Sequence, residues 1–140
     1  MSDTESLRSL IAAHHLGTLA TIRGDGRPQL SMVSHDYDLS RGVIRVSITD
    51  GRAKTANLRR DPRATYLVAN TAGWGYAAAE CRAELLPVAT APDDASVDEL
   101  VEIYRAISGD HPDWAEYRAA MVTDRRVPLL LHVERVYGAH

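Results

Sequence analysis

Hydrophobic and polar residues alternate in six segments of the chain, and this period of two is typical of half-buried β-strands. The segments span residues 16–23, 28–36, 43–49, 64–70, 74–87 and 126–137. Residues 24–27, with two glycines, predict a hairpin turn between the first two strands, and 71–73 predict another between the fourth and fifth. Short connections of this kind join antiparallel neighbours, so the pattern predicts an antiparallel sheet.

Four other segments are predicted helices; the first and third carry apolar residues on one face, and the second and fourth are indicated by capping residues and prolines. They run over about 4–14, over 52–60, from an opening at 91–96 to a stop at 108–110, and over 112–121. Asp50 is the predicted cap of the second helix, and Pro62 ends it because the residue before a proline avoids the helical region. No strand–helix–strand alternation repeats, so the order predicts a mainly β fold: a six-stranded closed antiparallel barrel with peripheral helices.

Length and composition point to one globular domain spanning 1–140. Hydrophobic residues make up 45% of the chain and charged residues 25%, and no apolar run is long enough to cross a membrane. A net charge of −3 argues against a general nucleic-acid binder. The first residues lack the features of a secretory signal, so we expect a cytoplasmic location.

The cysteine and the histidines carry little predicted chemistry. Cys81, the single cysteine, cannot form an internal disulfide, and we expect a buried, inert thiol. The six histidines show no metal-ligand spacing, so no metal is expected. His111 precedes Pro112 at a helix start and is expected to be a turn residue. Arg125 and Arg126 follow a helix end, where cations satisfy terminal carbonyls; contact with an acidic ligand is the alternative.

The segment 47–62 runs from a strand into a basic helix start and contains Lys54, the only lysine of the chain. Such a corner presents free backbone N–H groups and the positive end of a helix dipole, to which Arg52 and Lys54 add two cations. Residues 52–63 hold five basic residues and one acid, a local balance of +4. The sequence therefore predicts an anion site here, most simply for a phosphate. A solvated helix face is the alternative interpretation of the charge run alone.

Motifs along nearly the whole chain resemble those of a known family. They include Arg-Ala-Lys-Thr at 52–55, Gly-Trp-Gly-Tyr at 73–76 and Gly-Asp-His-Pro-Asp-Trp at 109–114, together with 19–22, 25–31, 46–48, 57–63, 117–118 and 121–127. In order and spacing they resemble the FMN-binding split barrel, and within it the coenzyme F420-dependent branch of the pyridoxamine 5'-phosphate oxidase-like proteins, particularly its mycobacterial members. The resemblance implies a split β-barrel that forms a homodimer, with each cofactor between two subunits.

The resemblance also implies cofactor-binding residues. Arg52 and Lys54 would anchor the phosphate and the acidic tail, with Asn57 as a helper one helical turn on. The ring would lie against the second strand, at Gln29, Ser31 and Val33, and against the end of the third, at Ser47, Ile48 and Thr49. Trp74 and Tyr76 would close the site from the partner subunit, or equally serve as anchors of the dimer interface. Without the resemblance, Ser31 and Ser47 are equally well explained as strand residues facing water.

The implied function is a cytoplasmic oxidoreductase that passes a hydride from reduced F420 to an electrophilic small molecule. Two alternatives remain open: an FMN oxidase or reductase of the same fold, and a non-catalytic F420 carrier. The F420 tail continues past the phosphate into a lactyl-oligoglutamate chain, for which Arg59, Arg60 and Arg63 are the expected cations. No catalytic triad, paired carboxylate or Cys–His arrangement can be defended, so the catalytic residues and the acceptor are unassigned and solvent is the expected proton source.

Overall fold

The structure is a computed structural model that describes residues 3–139. It contains four helices and seven strands in the order α1 (Asp3–Ala12), β1 (Leu16–Ile22), β2 (Pro28–Ser34), β3 (Asp36–Asp38), β4 (Val43–Thr49), α2 (Ala53–Arg60), β5 (Arg63–Ala69), β6 (Tyr76–Leu85), α3 (Ala95–Ser108), α4 (Trp114–Thr123) and β7 (Arg126–Ala139). None of these helices is both long and apolar enough to cross a membrane.

All seven strands join one curled antiparallel sheet in the order β2-β1-β5-β6-β7-β4-β3. The last strand of the chain, β7, inserts between β6 and β4 and so connects the β3–β4 pair to the β5–β6 hairpin. Gly26, at a φ of 86°, makes the tight turn between β1 and β2. The predicted mainly β split-barrel fold is thus confirmed.

The number of strands differs from the prediction, because a short seventh strand, β3, occupies part of the predicted turn at 37–42. The chain breaks its β alignment at His35, whose backbone N–H donates to the carbonyl of His15. Tyr37 then turns into the core, and its hydroxyl accepts a hydrogen bond from Nη1 of Arg8 at 2.8 Å. A single buried aromatic between aspartates gives no periodic signal, which is why the sequence pattern missed this strand.

Two groups of apolar side chains hold the fold together. The first lies inside the curled sheet and is closed by α1, whose Leu7 and Ile11 are buried against the strands. The second lies between α3 and α4 and includes Val97, Leu100 and Ile103. Cys81 is a free thiol in the first group, and burial raises its pKa to about 12, in agreement with the expected inert thiol.

A buried histidine links β2, α1 and β5. Nε2 of His35 donates to the carbonyl of Ile11 at 2.9 Å, so Nδ1 is the atom that accepts the hydroxyl of Tyr66. The Tyr66 ring also fills the space beside Gly17, where a Cβ would come within 2.4 Å of it. Because both ring nitrogens of His35 are used in its neutral form, protonation would remove the acceptor for Tyr66.

We predict that acid destabilises the fold through His35. Burial lowers the pKa of this imidazole below its ordinary value of 6.5, so the unfolded chain binds the proton more readily than the folded one. Stability is then complete above about pH 6.5 and falls as the pH drops below it, by up to about 1.4 kcal/mol per pH unit. Urea unfolding between pH 7.5 and pH 5 measures the slope. His35→Gln should flatten it and the exposed His132→Gln should not; equal slopes in both variants would contradict the assignment.

Candidate cofactor site

The corner between β4 and α2 has the geometry of an anion site. Arg52 is the N-cap of α2, in an extended conformation and without a side-chain cap, and no acidic residue lies in the first helical turn. The hydroxyl of Thr55 donates to the carbonyl of Thr49 at 2.7 Å, which fixes the helix start against the strand end. The positive end of the helix is therefore not neutralised by a neighbouring carboxylate.

Asp50 does not cap this helix, contrary to the sequence prediction. Its carboxylate instead binds Nη2 of Arg59 at 2.6 Å and Nη2 of Arg125 at 2.7 Å. These hydrogen bonds hold the pKa of Asp50 below its usual range. Two guanidinium groups are stronger partners for a carboxylate than one backbone N–H, so the ion pairs displace the cap.

The corner opens into a cavity of about 580 Å³. One wall comes from strands β2 and β4 and includes Val33, Ser47, Ile48 and Thr49. The opposite wall comes from α3 and α4 and is mainly apolar and aromatic, with Ile103, Tyr104, Ile107, Tyr117 and Met121. A space of this size between a sheet and an apolar wall suits a planar organic ligand.

Three cations and no described Asp or Glu line this cavity. They are Arg52, Lys54 and Arg126. Burial lowers the pKa of the Lys54 ammonium, and repulsion from Arg52 and then Arg126 lowers it further. Arg52 and Arg126 are thus close enough to disfavour the charge of Lys54, and an anion in the cavity would relieve this repulsion.

Arg126 lines the cavity, although the sequence analysis gave a ligand contact only as the alternative for the Arg125–Arg126 pair. It was expected to satisfy helix-terminal carbonyls, but it begins β7 opposite Thr49, and its Nη1 donates weakly to the strand carbonyl of Ser47 at 3.4 Å. Its Nε is the one buried side-chain nitrogen or oxygen within 3–139 that has no hydrogen-bond partner. The neighbouring Arg125, at a φ of 53°, points its charge to Asp50 instead. The sequence offered only the Arg-Arg pair as a signal.

The predicted site residues fall into two groups. Val33, Ser47, Ile48, Thr49, Arg52 and Lys54 come together on the cavity wall. Gln29, Ser31, Asn57, Trp74 and Tyr76 do not line it. Trp74 is 99% exposed in the turn between β5 and β6, and Tyr76 begins β6 on the outside of the sheet. Within one subunit, the predicted site residues that line the cavity are therefore mainly those of the helix corner and of the end of β4.

Asn57 lies beneath the corner. Its Nδ2 donates to Thr21 Oγ1 at 3.1 Å and to Gln29 Oε1 at 2.9 Å, and its Oδ1 accepts from Arg60. The side chain therefore ties α2 to the β1–β2 hairpin and is buried in doing so. Gln29 is held in the same network and shares its half-buried face of β2 with Ser31 and Val33.

The arginines expected to bind an acidic tail already have partners within the chain. Arg59 binds Asp50, Arg60 donates to the carbonyl of Ile22 at 2.8 Å, and Arg63 binds Asp61 at 2.8 Å. The charge run at 52–63 is therefore divided, with only Arg52 and Lys54 facing the cavity.

The helical wall contains a cluster of four rings: Tyr104, His111, Trp114 and Tyr117, with centroids 4.9 to 5.8 Å apart. His111 lies in the α3–α4 connection, where its Nδ1 accepts the N–H of Asp113 at 2.9 Å, as expected of a turn residue. Tyr117 donates to the carbonyl of Leu100, and burial raises its pKa to about 12. Within residues 3–139, no three His, Cys, Asp or Glu side chains group as metal ligands would.

A curled antiparallel sheet with a cationic strand-to-helix corner defines the class of the protein. The family model for pyridoxamine 5'-phosphate oxidase matches residues 3–139, and the chain belongs to this family.

Similar solved structures include proteins with three different named cofactors. An F420 reductase has a TM-score of 0.68 and 21% identity, covering 98% of each chain. A heme-binding protein from Mycobacterium smegmatis has a TM-score of 0.72 and 23% identity, covering 99% of this chain and 54% of that one. An FAD-binding protein from Mesorhizobium loti has a TM-score of 0.68 and 20% identity, covering 99% and 92%. At these identities the likeness shows the fold alone.

We predict that Asn57 is needed for stability even without a ligand. Asn57→Ala would leave buried groups of Thr21 and Gln29 without their partner, which costs about 1–3 kcal/mol. Urea unfolding of cofactor-free protein measures this loss. The control is Asn70→Ala, which removes only an exposed turn bond to the N–H of Ala72 and should cost less. Unchanged stability of the Asn57 variant, with weaker cofactor binding, would instead favour direct contact with the cofactor.

Proposed function

We propose that this protein is a coenzyme F420-dependent oxidoreductase that reduces an electrophilic organic acceptor. The observation that carries the proposal is the cavity itself, with three cations and no described carboxylate on its lining and an apolar helical wall opposite the strands. In this arrangement Arg52, Lys54 and the N-terminus of α2 bind the phosphate. The strand segments at Val33 and at Ser47–Thr49 receive the ring.

The residues present fit such a cofactor. Arg52 and Arg126 both lower the pKa of Lys54, and an anion in the cavity would relieve this repulsion. When bound, the deazaflavin supplies the hydride chemistry. The chain itself binds the phosphate, orients the ring along β4 and excludes water with α3 and α4.

F420 is the preferred cofactor because the motifs of the chain resemble those of that branch. FMN is the second candidate, and one observation favours it. Arg59 and Arg63 are occupied by Asp50 and Asp61 and do not extend the cavity's cations outward. A shorter ligand ending in a phosphate would need no such extension.

We further propose that the protein acts as a homodimer whose partner covers the outer apolar face of the sheet. The strand registers place six side chains on one side of the sheet, across β2, β1, β5, β6 and β7: Leu16, Leu30, Met32, Leu67, Tyr76 and Tyr137. All six are substantially exposed in the single subunit. A continuous apolar face of this kind usually marks an interface. Met32 also lines the cofactor cavity, so a partner on this face would reach the site.

The dimer proposal predicts that a charge on this face separates the subunits. Leu30, on the outer apolar face, is 64% exposed and Leu39, in the turn after β3, is 53% exposed. Leu30→Glu would bury a carboxylate in the interface and should yield monomers, whereas Leu39→Glu should remain dimeric. Sedimentation equilibrium distinguishes the two. A mass near 15.4 kDa for the unaltered protein with cofactor present would be that of a monomer and would contradict a site shared between two subunits.

The cofactor proposal predicts a defined loss on removing the lysine charge. Lys54→Ala should weaken cofactor binding by about 1.5–3 kcal/mol, the range for a hydrogen bond to a charged group, without unfolding the protein. Arg52→Ala should behave alike, and the control is Arg23→Ala, whose guanidinium pairs with Asp25 at the β1–β2 turn. Fluorescence titration with F420 gives the affinities. Unchanged affinity in both corner variants would move the phosphate site elsewhere.

The choice between cofactors follows from parallel titrations with FMN and with F420 of short and long tails. We expect F420 to bind more tightly, and tail shortening to weaken binding mainly at low salt, because salt screens exposed charge pairs. Retention of FMN through purification with no response to F420 would establish the second candidate. Tight F420 binding with no oxidation by a broad panel of acceptors would favour a carrier.

A further inference from the structure

Arg126 lies where the cationic and aromatic parts of the cavity meet. It begins β7 directly after the α4 helix, opposite Thr49, the residue at which β4 enters the corner. Its charge contributes to the lowered pKa of Lys54 on one side and counteracts the raised pKa of Tyr117 on the other. The guanidinium therefore lies between the corner with Arg52 and Lys54 and the helical wall of the cavity.

The hydrogen bonds of this guanidinium are incomplete. Nη1 makes one long bond to the carbonyl of Ser47, and the buried Nε has no partner within the described residues. A buried N–H of a charged group left unpaired is costly, and most buried polar groups in folded proteins are paired. Most other arginines of the described chain bind a carboxylate of the protein, as Arg125 next to it binds Asp50. The Nε atom is buried, but the Arg126 side chain lines the cavity, and its charge meets no described carboxylate there.

The side chains around the Arg126 guanidinium limit the kind of ligand that it can bind. Tyr104 and Ile107 of α3 and Tyr117 and Met121 of α4 present rings and apolar side chains, with no described Asp or Glu on the cavity lining. A ligand that satisfies both must join an anionic oxygen group to a planar apolar body. A carboxylate matches the fork of a guanidinium, whereas a neutral amide or alcohol leaves the positive charge unpaired.

We propose that Arg126 binds the carboxylate of the second substrate, so that the acceptor is an aromatic or conjugated carboxylic acid seated against Tyr104. Arg52 and Lys54 hold the cofactor's phosphate, and Arg126 selects among acceptors by their charge. That this ligand is the acceptor rests on the proposed function; the carboxylate subsite itself does not.

A matched pair of probes tests the subsite by binding alone. Naphthoate and its neutral amide, naphthamide, have the same ring and differ in the anionic group. Calorimetric titration of the F420-loaded protein should show naphthoate binding at least about tenfold more tightly, as expected for one hydrogen bond to a charged group. Arg126→Gln should abolish most of this preference, Arg126→Lys should retain part of it, and the control Arg125→Gln should leave it unchanged.

Two outcomes would overturn the proposal. The unaltered protein could bind the acid and the amide equally, or the preference could survive in Arg126→Gln. In the second case, a loss of F420 affinity in Arg126→Gln as severe as that in Lys54→Ala would assign Arg126 to the cofactor. Thermal unfolding shows whether Arg126→Gln is misfolded. If it is, the naphthoate preference of Arg126→Lys is used for the test instead. If neither F420 nor FMN binds but the naphthoate preference persists and depends on Arg126, the proposed function fails and the subsite stands.

Discussion

The pairing of β7 with β4 is the constraint on which the rest of the structure depends. Its register sets Ile44 against Leu131, Val46 against Leu129 and Ile48 against Val127, all of them buried. A slip of one residue would turn every one of these side chains outward, so the apolar pattern fixes the alignment strongly. The same register brings Arg126, remote in sequence, to Thr49 at the entrance to the corner. The same strand pairing therefore determines both the packing of the core and the position of Arg126 beside the corner.

Much of this fold could be predicted because its strands alternate regularly. The bounds of β4 match the alternation at 43–49, and Asp61 and Pro62 follow α2 directly, as expected for a helix stop before proline. The pattern failed where tertiary contacts outweigh local signals. Asp50 has the residue type of a helix cap, but two guanidinium groups brought together by folding compete for it. β3 depends on one buried tyrosine, which no period can reveal.

The candidate site shows the same division between local and long-range information. A strand end followed by a basic helix start is contiguous in sequence, so Arg52 and Lys54 could be identified as cavity-facing cations. Arg59 and Arg63 belong to the same charge run but pair with Asp50 and Asp61, because the helix surface brings them to those carboxylates and not to the cavity. The unpartnered Nε of Arg126 arises only after β7 and α4 close over β4. No linear pattern encodes that contact.

Ligand specificity in this fold is expected to reside in the residues around the sheet. Structures named for F420, heme and FAD share this architecture at 20% to 23% identity, so the sheet alone does not select the cofactor. Here α3 is fastened over the cavity by Arg45, which bridges Asp36 of β3 and Glu99 of α3 in a half-buried ion-pair network. Such a network holds the helical wall in a fixed position relative to the strands. The position of Tyr104 and Tyr117 relative to the corner with Arg52 and Lys54 is thereby set before any ligand binds. The proposed binding of two ligands in one cavity would require such preorganisation.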